Sequence, residues 1–166
     1  MLKQTISLKT LALTSMVWGQ NKVHFTSTPS LSPDGKTTYF SFDGDLWQVP
    51  TSGGEALRLT ALPGNETNPR VSPDGKWLAF SSDQYGNKDI FLMPLTGGPI
   101  QQLTYHQAAD EMESWSWDSE TIYFTSNAYN NYASFSISKN GGTPTPLFTN
   151  YFNNTNGLVE TPAGEY

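Results

Sequence analysis

The chain has 166 residues, enough for one domain, with a net charge of −6 and a pI near 4.7. Its nine Lys and Arg residues are scattered. A nucleic-acid-binding protein needs a basic surface that displaces counterions from phosphates, so nucleic acid is excluded as a partner. The absence of Cys excludes disulfides, thiolate metal sites and Cys nucleophiles. Many aromatic residues (13%), with 14 Gly and 11 Pro, favour short strands and turns over helices.

The first predicted element is a secretory signal peptide over residues 1–19. Two lysines precede an apolar run, Thr10–Trp18, which is too short to span a bilayer. Val17 and Gly19 stand where a signal peptidase requires small residues, which predicts cleavage after Gly19. A buried first strand or helix is the alternative interpretation. The signal peptide predicts a periplasmic or secreted protein whose mature form does not enter a membrane.

From about residue 28 onward the sequence repeats with a period of 44 residues. Gly-Gly pairs begin at positions 53, 97 and 141, and each is preceded at the same offset by a strand-like run (DLWQVP, DIFLMP and ASFSIS). A Leu-Thr or Leu-Phe-Thr step follows each pair. The string SPDGK occurs at 32–36 and 72–76, and in the altered form SWDSE at 116–120. A shared period across several features indicates a repeat architecture.

One repeat is predicted to form four strands. In the second copy these are Asn68–Ser72, Lys76–Ser82, Asp89–Pro94 and Pro99–Thr104. The Pro, Asp and Gly of SPDGK favour a tight reversal, and the Gly-Gly pair favours a two-residue hairpin turn. The second strand contains four consecutive apolar residues, WLAF, whereas a strand with one face in water should alternate. Both of its faces are therefore expected to be covered by neighbouring sheets.

Radial stacking of four-stranded sheets is a β-propeller, and a fixed period favours it over a β-sandwich. We predict an all-β fold, a partial β-propeller of about three four-stranded antiparallel blades at residues 28–62, 68–106 and 112–150. Residues 151–166 are predicted to begin a fourth blade. Propellers close with about four to eight blades. A longer polypeptide or an association of several copies would therefore complete the ring, and apolar end faces would favour self-association.

Two stretches, Ser32–Thr60 and Ser72–Glu111, resemble the N-terminal propeller of tricorn-type serine proteases, which are related to C-terminal processing peptidases. The strings DGDLW, SPDGKW and LTYH are the most specific parts of this resemblance. The looser pattern SPDGK…GG…LT is also similar to TolB-type periplasmic propellers and to the propellers of prolyl-oligopeptidase-like peptidases. The resemblance covers about residues 28–150.

The tricorn resemblance implies an exported serine peptidase whose propeller gates or binds peptides or unfolded protein segments. It also implies a catalytic domain, absent from this chain, further along the same polypeptide. The catalytic Ser, His and Glu of that family have no counterpart here, so the chain is expected to hold no catalytic residue. The family anchors a peptide carboxylate on two adjacent arginines, whereas Arg58 and Arg70 are not adjacent. The alternatives imply a non-catalytic protein-binding scaffold of the TolB type, or the propeller of a prolyl-oligopeptidase-like hydrolase.

A direct search for chemistry finds no nucleophile elbow, zinc-protease motif or phosphate-binding loop. We therefore predict no cofactor and no metal. Trp47 and Trp77 lie in repeated strands and are assigned to the core between blades. The candidates for peptide contact are His106, just after a strand end, and Trp115 and Trp117, of which one is expected to face the channel or the rim.

Two acidic groups are assigned structural roles. Asp110, Glu111 and Glu113 are predicted to form a solvated loop between blades in preference to a cation site. The acidic segment 83–89 lacks the ligand spacing of an EF-hand loop and is predicted to be a hairpin turn.

Overall fold

The computed structural model describes residues 29–128 and 133–148, which form three antiparallel four-stranded sheets. The strands of the first sheet are β1 (Ser30–Leu31), β2 (Thr37–Phe42), β3 (Asp45–Pro50) and β4 (Leu57–Arg58). Those of the second are β5 (Glu66–Val71), β6 (Trp77–Ser82), β7 (Asp89–Pro94) and β8 (Gln101–Gln102). Those of the third are β9 (Asp110–Trp115), β10 (Thr121–Ser126), β11 (Ala133–Ser138) and β12 (Thr145–Pro146).

Each sheet is a meander in which every strand pairs with its neighbour in the sequence. Within the described ranges the secondary structure is strands and turns without helices, and none of it has the length and hydropathy of a membrane-spanning helix. The predicted all-β propeller section is confirmed. The predicted signal peptide (1–19) and the predicted start of a fourth blade (151–166) lie outside the described residues.

The turn between the first two strands of each sheet is held by the same side-chain bonds. In the second sheet, Ser72 Oγ donates to Asp74 Oδ1 at 2.6 Å and accepts from the backbone N–H of Trp77 at 3.0 Å. In the third sheet, Ser116 Oγ donates to Asp118 Oδ1, also at 2.6 Å. The altered string SWDSE therefore keeps the two side chains that close the turn. This explains how it forms the same reversal without its Pro and Gly.

The middle sheet is covered on both faces. Toward the first sheet it directs Leu78, Phe80, Phe91 and Met93, which pack with buried residues of β2 and β3. Toward the third sheet it directs Ala79, Ile90 and Leu92, which pack with buried residues of β9, β10 and β11. Consecutive residues of β6 thus serve opposite interfaces, which is why its sequence is apolar without alternation.

The outward faces of the two end sheets also carry buried aromatic side chains. Phe40 repeats Phe80, so it lies on the face of β2 directed away from the second sheet, and it is 1% exposed. Tyr123 repeats Ala79 and lies on the outer face of β10, where it is 2% exposed. The apolar end faces expected from the sequence are therefore not exposed at these positions.

Candidate functional site

The two junctions between successive blades contain the same polar cluster. Each cluster combines an Asp at the start of the third strand, a Thr after the fourth strand, an acid at the start of the next blade and a Ser at the end of that blade's second strand. These are Asp45, Thr60, Glu66 and Ser82 in the first junction, and Asp89, Thr104, Asp110 and Ser126 in the second. Each pair of equivalent residues is 44 positions apart. All eight side chains are buried.

Glu66 is the central acid of the first junction. Thr60 Oγ1 donates to Glu66 Oε2 at 2.9 Å, and Ser82 Oγ donates to Oε1 at 3.4 Å. The residue is fully buried. Burial raises the pKa of Glu66 from 4.5 to about 7, because the hydrogen bonds only partly replace the lost hydration of the carboxylate.

Asp45, the second acid of the first junction, is paired with a cation. Arg58 Nη2 lies 2.6 Å from Asp45 Oδ2. The same guanidinium uses Nε to donate to the carbonyl oxygen of Thr60 at 2.8 Å. Arg58 therefore bridges the third strand and the loop that leads to the next blade, and it neutralises one of two neighbouring carboxyl groups.

The second junction has two acids whose partners in the cluster are neutral donors. Thr104 Oγ1 donates to Asp89 Oδ1 at 3.1 Å, and Gln102 Nε2 donates to Asp89 Oδ2 at 3.1 Å. Burial raises the pKa of Asp89 to about 6. Asp110, which interacts with Ser126 and Thr104, also has a pKa raised by burial.

A pocket of about 430 Å³ opens beside this second junction. The polar residues on its wall are Thr104, Tyr105, His106, Asp110, Ser126 and Thr143. The apolar part of the wall comes from Leu103, Phe124 and Phe135. Its volume is within the range of small-ligand pockets, and the mixture of aromatic surface with a few convergent polar groups is typical of them.

The structure does not bring the three predicted contact residues together. His106 lines the pocket, where its Nδ1 accepts the backbone N–H of Ala108 at 3.1 Å. Trp115 stands at the far end of β9, about 16 Å along the strand from Asp110, and its Nε1 donates to Arg70 O at 3.0 Å. Trp115 belongs to the apolar cluster between the second and third sheets and is 6% exposed, whereas Trp117 in the following turn is 56% exposed.

The prediction of a solvated acidic loop was wrong. Asp110, Glu111 and Glu113 all belong to β9, and Asp110 is only 3% exposed. Glu111 forms an ion pair of 2.9 Å with Lys88. The acidic segment 83–89 is a turn only in its first part, because β7 begins at Asp89.

Arg58 and Arg70, the two arginines of the sequence, serve different blade junctions. Arg70 lies in β5, and its Nε donates to the carbonyl oxygen of Glu113 at 2.7 Å, across the junction with the third sheet. Arg58 serves the first junction through Asp45. Between residues 29–128 and 133–148 no group of three or more acidic or His side chains could hold a metal ion.

The junction acids are the feature that sequence reasoning missed. Glu66 and Asp110 occupy equivalent positions of successive repeats. The residues that follow them differ, however, with PRVSPDGK after Glu66 and SWSWDSE after Asp110, so the equivalence is not evident from the neighbouring sequence. Superposing the repeats at an offset of 44 residues would have revealed it, together with the exchange of Arg58 for Gln102.

Three four-stranded meanders stacked face to face define this part of the chain as a section of a β-propeller. The sequence profile of the tricorn protease N-terminal β-propeller domain matches residues 23–157. The chain belongs to this family.

Several individual proteins are similar to parts of this chain. A 58-residue segment is 34% identical to tricorn protease homolog 1 of Streptomyces coelicolor and covers 35% of this chain and 5% of that protein. TolB from Acinetobacter baumannii is similar in structure, with 26% identity and a TM-score of 0.71 over 84% of this chain and 36% of that one. The tricorn protease structure shares the fold at 16% identity and a TM-score of 0.55, over 67% of this chain and 13% of that one.

Proposed function

We propose that this chain is the N-terminal propeller portion of an exported tricorn-like serine protease, in which it binds or gates peptides and supports a catalytic domain of the same polypeptide. The family match over residues 23–157 carries the proposal. The segment that matches the Streptomyces relative covers 5% of that protein. A protein of that length is long enough to include a catalytic domain in addition to the propeller. The predicted signal peptide supports export to the periplasm or the medium.

Peptide contact is assigned to the exposed turn that carries Trp117 and to the pocket that contains His106. An exposed indole provides a large, rigid apolar surface for a passing peptide. Trp115, anchored on Arg70 O, holds this turn against the neighbouring blade. We place Trp115 in a supporting role and Trp117 in direct contact.

We further propose that a continuing polypeptide, not an association between copies, completes the ring. The match to tricorn protease homolog 1 supports this choice, because the matching segment covers 5% of that protein and the rest of such a polypeptide can supply further blades. Sedimentation of the chain should then show a monomer, and a stable higher oligomer would contradict this part of the proposal.

A TolB-type scaffold that binds proteins without catalysis is the second candidate. The structural similarity to TolB, with a TM-score of 0.71, favours it. The coding sequence after Tyr166 separates the candidates. A serine protease domain there supports the tricorn-like function, and a stop soon after propeller closure supports the scaffold. An α/β-hydrolase motif would instead support the prolyl-oligopeptidase-like alternative.

The proposed function is tested with the chain and a set of fluorescent unfolded peptides. We expect binding without cleavage, and a several-fold weaker affinity for Trp117→Ala because an aromatic contact is removed. Tyr85→Ala is the matched control, since Tyr85 is an equally prominent aromatic in a different turn. Absence of binding by every peptide would refute the peptide-contact role, and Ser-directed turnover by the chain would refute its lack of catalysis.

A further inference from the structure

The loop between β8 and β9 presents two neighbouring rings at the surface. Tyr105 is 75% exposed, the largest exposed fraction among the large hydrophobic side chains of residues 29–128 and 133–148. His106, the next residue, is also exposed. Both side chains line the pocket of about 430 Å³ beside the second junction. Burial in the core therefore does not account for either ring.

Hydrogen bonds to the backbone hold both rings in place. The hydroxyl of Tyr105 donates to the carbonyl oxygen of Gln102 at 2.7 Å, and Nδ1 of His106 accepts the N–H of Ala108 at 3.1 Å. Asn87, in the turn between β6 and β7, uses Nδ2 to donate to His106 O at 3.0 Å and to Ala108 O at 2.8 Å. The loop is therefore anchored to a neighbouring turn. Rings that are fixed in advance lose little conformational freedom when a ligand binds against them.

The first junction shows that the stacking of blades does not require these rings. Tyr105 and His106 correspond to Ala61 and Leu62, which stand 44 residues earlier. Leu62 packs against the apolar cluster between the first and second sheets, whereas Ala61 is exposed. The same kind of junction is thus formed with a methyl group and an aliphatic side chain at these positions. Exposed, fixed rings that the junction does not need are typical of a contact surface, where Tyr supplies a large and rigid area.

The polar groups deeper in the pocket are already bonded within the chain. Asp110 interacts with Ser126 and Thr104 and is 3% exposed. The accessible wall is therefore defined by the two rings of the loop and by Pro144, which adds another flat apolar surface. Flat apolar surfaces complement a planar ring, and aromatic pairs are stabilised beyond the area that they bury. An aromatic side chain is the occupant that matches this wall.

We propose that the pocket between the second and third blades binds an aromatic side chain of a peptide, with Tyr105 as its principal contact and His106 and Pro144 as the adjoining walls. That the ring belongs to a peptide rests on the proposed function. The preference of the pocket for a planar ring does not depend on it. Tyr105 precedes β9 and Trp117 follows it, so this contact is separate from the one assigned to Trp117.

Two small probes of similar size test the preference for a planar ring. Acetyl-phenylalanine amide carries an aromatic ring, and acetyl-cyclohexylalanine amide replaces it with a saturated one. Titration of the full chain by NMR should show about two- to tenfold tighter binding of the phenylalanine probe, the range that a favourable aromatic pair provides. Shifts should concentrate on the amides of Tyr105, His106 and Thr143. Equal binding of the two probes, tighter binding of the saturated one, or no binding of either overturns the proposal.

Three substitutions at exposed positions distinguish the site from non-specific attraction. Tyr105→Ala inserts the residue of the first junction, Ala61, and should remove the preference for the phenylalanine probe. Tyr105→Phe keeps the ring and should retain that preference. Tyr85→Ala removes a similarly exposed ring from a different turn and should leave the binding of both probes unchanged. If Tyr105→Ala binds the probes like the unaltered chain, or if Tyr105→Phe loses the preference, the site is refuted.

The peptide experiment separates the two proposals. Peptides that bind equally well with and without aromatic residues would preserve the proposed function while refuting the aromatic site as their contact. Probe binding without peptide binding would preserve the aromatic site and refute the peptide-contact function.

Discussion

Glu66 shows how a single side chain at a blade junction makes stability depend on pH. It is fully buried, and burial raises its pKa from 4.5 to about 7 against the opposing hydrogen bond from Thr60. The folded chain therefore binds this proton more tightly than the unfolded chain. Stability is greatest below about pH 4.5 with respect to this group, falls as the pH rises to about 7, and is level above it.

Glu66→Gln should flatten this pH dependence. A neutral amide cannot ionise, so the loss of up to about 3 kcal/mol that the raised pKa represents should largely disappear. Urea denaturation at pH 5 and pH 8 measures the difference. Asp89, with its pKa raised to about 6, should leave a smaller slope in the same direction. Glu55→Gln, at an exposed position, is the control and should retain the full pH dependence.

The loop between the first and second blades is fixed by a contact with a neighbouring turn. Asn65 N–H donates to Asp83 Oδ1 at 2.6 Å, which ties the inter-blade loop to the turn between β6 and β7. Gly64 lies against this contact with a φ of +105°, and a Cβ there would approach Asp83 Oδ1 to 2.6 Å and Gln84 N to 2.8 Å. The glycine is thus required both by its backbone conformation and by the close approach of a neighbouring turn.

Gly64→Ala should therefore cost more stability than backbone conformation alone explains. Gly86 is the matched control, because its φ is +108° and a Cβ there would meet nothing within 4 Å. We expect Gly86→Ala to cost about 1–2 kcal/mol and Gly64→Ala clearly more, since the loop must also move away from backbone. Thermal and urea unfolding of both variants provide the comparison. Equal losses in the free energy of unfolding would show that the inter-blade loop accommodates the added methyl group without further cost.

The strands differ in how well their bounds can be predicted from the sequence. β7 was predicted at its observed bounds, Asp89–Pro94, because an apolar run between two turns leaves few alternatives. For β5, the first strand of the second sheet, the sequence pattern predicts Asn68–Ser72, but the strand begins at Glu66, since an acidic residue is not typical of a buried strand position. The same reasoning placed Asp110 in a solvated loop. Burial of a carboxyl depends on partners in neighbouring strands and loops, which for Glu66 are Thr60, 6 residues before it, and Ser82, 16 residues after it, and local patterns do not encode such partners.

The predicted contact site illustrates the same limit. His106 and the two tryptophans are close in sequence, but the extended strand β9 lies between them and separates them in space. The pocket depends on residues from two blades, including Phe135 of β11. Sequence reasoning could therefore identify the repeat and its stacking but not the site that the stacking creates.

Residues 29–128 and 133–148 form a row of similar sheets whose extensive contacts join each sheet to the adjacent one. Phe80 and Phe91 stack at 5.8 Å on the face toward the first sheet, and Phe124 and Phe135 stack at 5.7 Å on the face toward the second. The equivalent pairs belong to two separate apolar clusters. Stability in such arrays is approximately a sum of intrinsic and nearest-neighbour contributions.

The two clusters should consequently respond independently to equivalent changes. Phe80→Leu and Phe124→Leu each shrink one buried ring and should each cost about 1–2 kcal/mol. The double variant should lose the sum of the two within about 0.5 kcal/mol, as expected for sites without shared partners. Urea denaturation of the four proteins of this cycle gives the coupling directly. A coupling well above that value would mean that the middle sheet transmits strain between its faces, and the chain would then behave as one continuous core instead of a row of separable blades.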